Sequence, residues 1–426
     1  MSSADEYIQS WVNIERLELT NYKGQTEDIM KFFMKIDIQE DIFIPVCSGQ
    51  ITLMESVSFF EDFPIVGEET LSITYKDFFN ESVTRTFSVF GVSAKEAATE
   101  RASVYVLKFC SEELLYNRTE KYSKSYRDLL ASDIFSDAFS RVNPTKEINI
   151  QPTVELQDFV VPNLYPFEVC AAMASRAISA EGHEGSYVFF EDKEKFNFVS
   201  IEKLITQTPI EYRIGSGGTY SHILPQNIIQ TYKYHKPVNN IKNLMTGAQG
   251  VEAKTLDITK RNIEDKSYNH FESDDYTKIQ RLNSSNPDLR QTTSKYKHQK
   301  NTGLYKVVIQ NEEDNAKSSK NKVMAKRYNI LSSFTNGPKI HAELPFNSKL
   351  TVGMVVSVDV PRPDSRDKSE DPDSEKYIKG KYIVMALRQI IQPDHAVTVV
   401  ELAKDSYPEN HEESEYAVNQ YERPVE

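Results

Sequence analysis

The sequence predicts an α+β fold, mainly β, with two separate β units and helical and polar material between them. Apolar and polar residues alternate with period two through the first 110 residues, the period lengthens toward helical spacing from about residue 111, and the alternation returns late in the chain. At 426 residues, 39% hydrophobic and 27% charged, the chain is long enough for several domains, each with its own core.

Residues 1–110 read as a first β barrel or sandwich. Phe32, Met34, Ile36 and Ile38 alternate with Phe33, Lys35 and Asp37, and Leu71, Ile73 and Tyr75 with Ser72, Thr74 and Lys76. Thr86–Val89 and Val104–Phe109 continue the pattern, and Asn21–Gly24, Ser48–Gly49, Val66–Gly67 and Asn80–Glu81 supply the turns.

Residues 111–205 read as an α+β segment. Ser123 is the expected N-cap of a helix in which Tyr126, Leu129, Leu130, Ile134, Ala138 and Val142 recur at helical spacing, stopped by Asn143–Pro144. A second helix is expected from Pro166, with Cys170, Met173, Ala174, Ala177 and Ile178 on one face and its end between Glu181–Gly182 and Glu184–Gly185. Tyr187–Phe190 and Phe196–Val199 form a strand pair across the polar turn Lys193–Lys195, and Ser200–Ile205 a short helical turn.

A second β unit is expected from 206–235 plus 328–404. Thr208–Thr231 reads as irregular around Gly215–Gly218, with a strand-like Ile228–Tyr234 after it. The candidate strands that follow are Ile330–Phe334, Ile340–Leu344, Val355–Val360, Tyr382–Ile391 and Val397–Leu402. Residues 236–327 are Asn- and Lys-rich and basic on balance, and read as an inserted domain with long loops. Arg362–Glu375 is too polar to order itself and reads as a mobile loop; 405–426 reads as an acidic arm.

Composition excludes several classes. No apolar run reaches the roughly 18 residues of a membrane span. The opening MSSADEYIQSW lacks the basic and apolar regions of a secretory signal, so synthesis in a cytoplasm is expected. Cys47, Cys110 and Cys170 are odd in number and widely spaced, which argues against a disulfide framework or structural zinc and for three small buried hydrophobes. With 50 Lys and Arg against 63 Asp and Glu, the net charge of −13 disfavours a surface that grips nucleic acid throughout. The 23 Tyr and 22 Phe suit half-buried strands and large interfaces.

Candidate chemistry is sparse. Gly215–Ser216–Gly217–Gly218–Thr219 resembles a phosphate loop but lacks the Lys-Ser/Thr ending and the following helix, which favours a connector. Glu191 and Asp192 are neighbours at a strand end and point to opposite faces, so a solvated turn is favoured over an acid/base pair. Asp364–Glu375 lacks the residue order of a calcium loop. The histidines at 183, 222, 235, 270, 298, 341, 395 and 411 show no metal-binding spacing, and there is no Gly-x-Ser-x-Gly elbow. Lys295–Tyr296–Lys297–His298–Gln299–Lys300 is the one basic stretch with an interleaved aromatic residue, a candidate for nucleic acid or an acidic partner, although solvated loop lysines explain it as well. No catalytic, cofactor-binding or metal-binding residue is assigned.

Three stretches together carry a resemblance. They are the β unit running into Tyr105–Ser111; Pro166–Phe167–Glu168 followed by Tyr187–Asp192 and Phe196–Ile201; and Ala342–Gly353, Val355–Pro361, Gly380–Val384 and Thr398–Leu402 before Asp405–Ser406. In this order, from about residue 10 to 406, they resemble the central baseplate hub proteins of contractile-tailed, T-even-like bacteriophages, which are similar in turn to the trimeric hub part of type VI secretion spikes. The resemblance implies a homotrimeric ring in the virion tail baseplate, assembled in the host cytoplasm. Each copy would carry two barrels like those of the tail tube, so that three copies face a sixfold tube with six barrels and seat a threefold spike at the other end. It implies tail tube proteins, the central spike protein and baseplate wedge proteins as partners, with DNA passing through the lumen without specific binding. It implies no cofactor, no catalytic residue and no membrane insertion. The long 362–379 loop and the acidic arm depart from the family pattern, and a tail-tip glycan hydrolase using Glu191 or Asp192 stands as the alternative reading.

Overall fold

The computed structural model describes residues 12–408 except 57–58, 94, 100–101, 182–183, 216–224, 236–239, 248–249, 258–260, 270–279, 284–303, 311–316, 362–374 and 376. The N-terminal region is built from β1 (Asn13–Thr20), β2 (Thr26–Asp28), β3 (Phe33–Asp41), β4 (Ser48–Glu55), β5 (Thr70–Lys76), β6 (Ser82–Val92), β7 (Glu96–Thr99) and β8 (Ala102–Cys110). β2 and β3 are one stretch broken by a 3-10 turn at Met30–Phe32. β2 pairs β1 and β3 pairs β4, so the ladder β1–β5–β6–β8–β4–β3 closes into a ring. The alternation of the sequence fills its interior with Leu17, Ile36, Ile51, Ile73, Phe87, Leu107 and Phe109, all buried.

The middle region holds β9 (Tyr122–Leu130), β10 (Ile148–Ile150), β11 (Thr153–Val154), β12 (Leu156–Leu164), β13 (Ile178–Ser179), β14 (Tyr187–Glu191) and β15 (Phe196–Ser200), with helices at Ala131–Ser140 and Pro166–Arg176. Its core is aromatic: Phe135, Phe139, Phe189, Phe196 and Phe198 stack or meet edge to face.

The C-terminal region comprises β16 (Ile210–Ile214), β17 (Ile228–Ile229), β18 (Thr231–His235), a separate three-stranded sheet of β19 (Gly250–Asp257), β20 (Asn262–Asn269) and β21 (Leu304–Gln310), then β22 (Lys339–Pro345), β23 (Val355–Asp359), β24 (Gly380–Ile391) and β25 (Ala396–Ala403). β17 and β18 are again one stretch, broken at Gln230. β17 pairs β16 and β18 pairs β22, which closes the ladder β16–β23–β24–β25–β22–β18.

Both rings follow the same order: first strand, split second strand, third, sixth, fifth, fourth and back to the first. The registers agree as well. Ile38, Gly49, Phe109 and Val89 lie in one cross-strand row of the N-terminal ring, and Tyr234, Ile340, Leu402 and Val384 form the matching row of the other. A register shift follows that row at the same place in both, between Val89 and Gly91 and between Val384 and Ala386. Beyond it, Ser111 N–H donates to the Cys47 carbonyl at 3.0 Å and Lys404 N–H to the Pro338 carbonyl at 3.1 Å. The rings differ at the first strand, where β1 runs antiparallel to its neighbours and β16 parallel.

The twelve-residue β24 joins the rings. Gly380–Ile383 pair with β23 and Ala386–Ile391 pair with β3, while β25 takes the opposite edge. The result is one continuous 15-stranded sheet.

Several expectations are corrected. The helix expected from Ser123 begins at Ala131, and Tyr122–Leu130 is strand. Tyr122 and Tyr126 are both buried, and a spacing of four fits either a strand face or a helix face. The helix from Pro166 stops at Arg176, because Ala177 is already extended and leads into β13. Ile330–Phe334 lies in the helix Lys317–Asn336; Ser333 and Thr335 hydroxyls donate to carbonyls four residues back at 2.7 and 2.8 Å, bonds only a helix offers. Ile210–Ile214, read as irregular, is a strand whose Tyr212 and Ile214 enter the core. Asp405–Tyr407, placed in the arm, are buried against the C-terminal ring; 409–426 lie outside the described residues, as does the expected loop Arg362–Glu375 apart from Glu375 itself.

Candidate assembly site

Three regions meet at a buried polar network. The end of β3, the turn after it and β6 bring Glu40, Cys47 and Arg85 together because each occupies an inward strand position or the turn beneath one. The Arg85 guanidinium donates to Glu40 Oε1 at 2.8 Å and to Cys47 Sγ at 3.2 Å. The second Glu40 oxygen accepts from Thr351 Oγ1 of the C-terminal region at 2.6 Å. Burial works against the Arg85 charge, yet the sulfur and carboxylates around it hold its pKa above the ordinary value.

The middle region is tied in through Glu191. Its carboxylate accepts from Cys47 N–H at 2.7 Å, from Ser111 Oγ at 2.5 Å and from Lys146 Nζ at 2.5 Å. Burial raises its pKa, and Lys146, Ser111 and the Cys47 amide oppose the rise. Asp192 serves a different purpose: it accepts from Glu194 N–H at 2.7 Å, Lys195 N–H at 2.8 Å and Asn197 Nδ2 at 2.7 Å, shaping the β14–β15 turn. The expected solvated turn is therefore corrected, since Glu191 is 1% exposed and Asp192 9%. The two acids face separate hydrogen-bond sets, as their opposite strand faces require.

At the β3–β24 join, the fully buried Asp37 carboxylate accepts from Arg388 Nε at 2.7 Å and is also held by Arg388 Nη2. That bond raises the Arg388 pKa. A groove of about 380 Å³ runs over the join, lined among others by Gln39, Asp41, Ile44, His341, Arg388 and Glu401. Glu401 bridges Lys339 Nζ at 2.5 Å and His341 Nε2 at 3.2 Å, and the His235 and His341 rings lie 4.8 Å apart.

Of the other candidate residues, Gly215 is a bend after β16, whereas 216–219, Lys295–Lys300 and Asp364–Ser374 lie outside the described residues. Cys47, Cys110 and Cys170 are all free thiols and buried, and burial raises the pKa of each. His183, His222, His270, His298 and His411 are outside the described residues; among those described, no group of three His, Cys, Asp or Glu side chains is placed to hold a metal, and no helix is long and apolar enough to cross a membrane. Sequence reasoning missed the Arg85–Glu40 pair. Its signal is legible in retrospect: Glu40 follows Ile36 and Ile38, and Arg85 precedes Phe87 and Val89, on the inward parity of their strands.

No family model matches the chain. It is 20% identical over 380 residues, 84% of this chain and 86% of the relative, to the "probable baseplate hub protein gp334" of Vibrio phage KVP40. Its fold is similar to the tail protein from Neisseria meningitidis MC58, with a TM-score of 0.57 at 11% identity, covering 92% of this chain and 96% of that one. It is likewise similar to the 43 kDa tail protein of prophage MuSo2 from Shewanella oneidensis, with a TM-score of 0.53 at 9% identity, covering 92% and 98%. The likeness expected from the sequence is thus met along most of the chain: its sequence is similar to that of a probable phage baseplate hub protein, and its fold is similar to the folds of two tail proteins.

Proposed function

We propose that the chain is a structural component of a phage tail baseplate, a homotrimeric hub that adapts a sixfold tail tube to a threefold central spike and surrounds part of the DNA channel. The observation that carries this reading is the duplication within one chain: two closed rings with the same strand order, matching registers and a register shift at the same place. Three copies of a chain with two such rings present six similar edges, which is what a symmetry adaptor requires. The relatives by sequence and fold are named as hub and tail proteins, in keeping with a structural rather than an enzymatic role. The division into an N-terminal barrel over 1–110, a linker domain over 111–205, a second barrel over 206–235 plus 328–404, an insertion over 236–327 and a C-terminal arm belongs to the same proposal.

Light scattering of the purified chain, alone and with its cognate tube and spike proteins, tests the reading. A mass of three copies and joint elution with both partners is expected. A chain that stays monomeric with both partners present overturns it. The glycan hydrolase alternative gains nothing from the site, because Glu191 is held by three donors away from solvent.

A further inference from the structure

The chain displays one edge-to-edge join between its rings, and the geometry points to a reciprocal join between copies. We propose that β18 of one copy adds, antiparallel, to the β6–β7 edge of a second copy, with Lys233 opposite Glu96. The inference rests on the hub reading and deepens it by naming the strands and the register.

Within the chain, the split second strand of the N-terminal ring (β3) pairs with the fifth strand of the C-terminal ring (β24). The reciprocal elements are the split second strand of the C-terminal ring, β18, and the fifth strand of the N-terminal ring, β6, which β7 prolongs along β8. Among the described residues, β18 pairs only with β22 and β7 only with β8, so each has an outer edge that no strand covers. Uncovered edges of this kind are templates for another strand.

The two edges of one chain are not paired with each other. A twofold relation between the rings would have produced both joins at once. The join is therefore head to tail, and a head-to-tail contact is completed only by another copy.

The matching registers fix the partners. Asp37 faces Gln50 and Lys233 faces His341 at equivalent places in the two rings, so Lys233 stands where Asp37 does and His235 where Gln39 does. On the other edge, Ile390 faces Val397 and Glu96 faces Val104, which are equivalent positions of β25 and β8. Inside the chain Ile390 lies opposite Asp37; the reciprocal join places Glu96 opposite Lys233 and Ala97 opposite Tyr232. Lys233, Glu96 and Ala97 are exposed, and the facing charges are of opposite sign, which stabilises a cross-strand pair.

The test is disulfide trapping. Lys233→Cys and Glu96→Cys are made in separate full-length chains, mixed, oxidised and run on a denaturing gel, with Tyr22→Cys replacing Glu96→Cys as reference. Facing positions on paired strands are within disulfide reach, and the native thiols are buried. The expected result is a two-chain band at least tenfold stronger for the Lys233/Glu96 mixture than for the reference, and a three-chain species when both substitutions share one chain. Separately, Lys233→Glu is expected to weaken assembly at least tenfold by light scattering, with Glu96→Lys in the same chain restoring it. A trimer that forms without preferential trapping overturns this join and leaves the hub reading standing. A chain that is monomeric and untrapped, even with tube and spike proteins present, overturns both.

Discussion

The same cross-strand position is filled in opposite ways by the two rings. In the N-terminal ring Gly49 faces Phe109; in the C-terminal ring Ile340 faces Leu402. A Cβ on Gly49 would sit 2.3 Å from the Asp37 carbonyl and 2.6 Å from the Phe109 ring, so the ring occupies the space a side chain would need. In the other ring Ile340 is fully buried and Leu402 3% exposed, two medium side chains sharing the same volume. Arg85 and Gly380 diverge further: on the matching row of the fifth strand, one ring carries a buried guanidinium and the other a glycine at φ 127°. A backbone pattern can persist while its filling is exchanged, provided summed volume and polar satisfaction hold.

The comparison breaks hardest at Arg85. Arg85→Met is expected to cost about 3–5 kcal/mol in urea unfolding, since Glu40 is left charged and buried, and adding Glu40→Gln should return much of it. If the single variant is neutral, the ion pair is not what distinguishes the rings. Next comes the exchanged row. Gly49→Ala should cost about 3 kcal/mol, because the clash is with backbone as well as a ring, and Phe109→Leu in the same chain should relieve only the ring's share. Full additivity of the two changes would show that the row is not a shared volume.

A smaller effect is expected at the join. Arg388→Ala should cost about 1–2 kcal/mol, as Asp37 is fully buried but Arg388 is 43% exposed and partly solvated already. Hydrogen exchange of β3 and β24 amides should rise together in that variant. The least effect is one of slope. Glu191 has a raised pKa, so as pH falls toward the ordinary glutamate value of 4.5 the folded chain takes up its proton before the unfolded chain does. Stability therefore rises as pH falls through that window and is lost as pH rises. Glu191→Gln, compared with the parent by thermal melting across the window, should flatten this dependence; an unchanged slope would mean that Glu191 does not titrate there.

Most of the strands were legible because inward residues such as Ile36, Ile38, Leu71, Ile73 and Tyr75 keep strict alternation. Ring closure was not, because it depends on breaks at Met30–Phe32 and Gln230 that look like ordinary ends of strands. The helix Lys317–Asn336 was hidden by a five-residue window too short to separate periods of two and 3.6. The buried polar network was least legible of all: Glu191 meets Cys47, 144 residues away, and no local pattern encodes so distant a partner.

β24 has a mechanical consequence. A strand hydrogen-bonded to both rings is a splint, and a hinge between them would have to tear the Ala386–Ile391 ladder rather than slide one surface over another. Load applied along the strand axis passes from one ring into its neighbour through backbone bonds pulled in shear, the direction in which a ladder resists as a whole instead of unzipping one rung at a time.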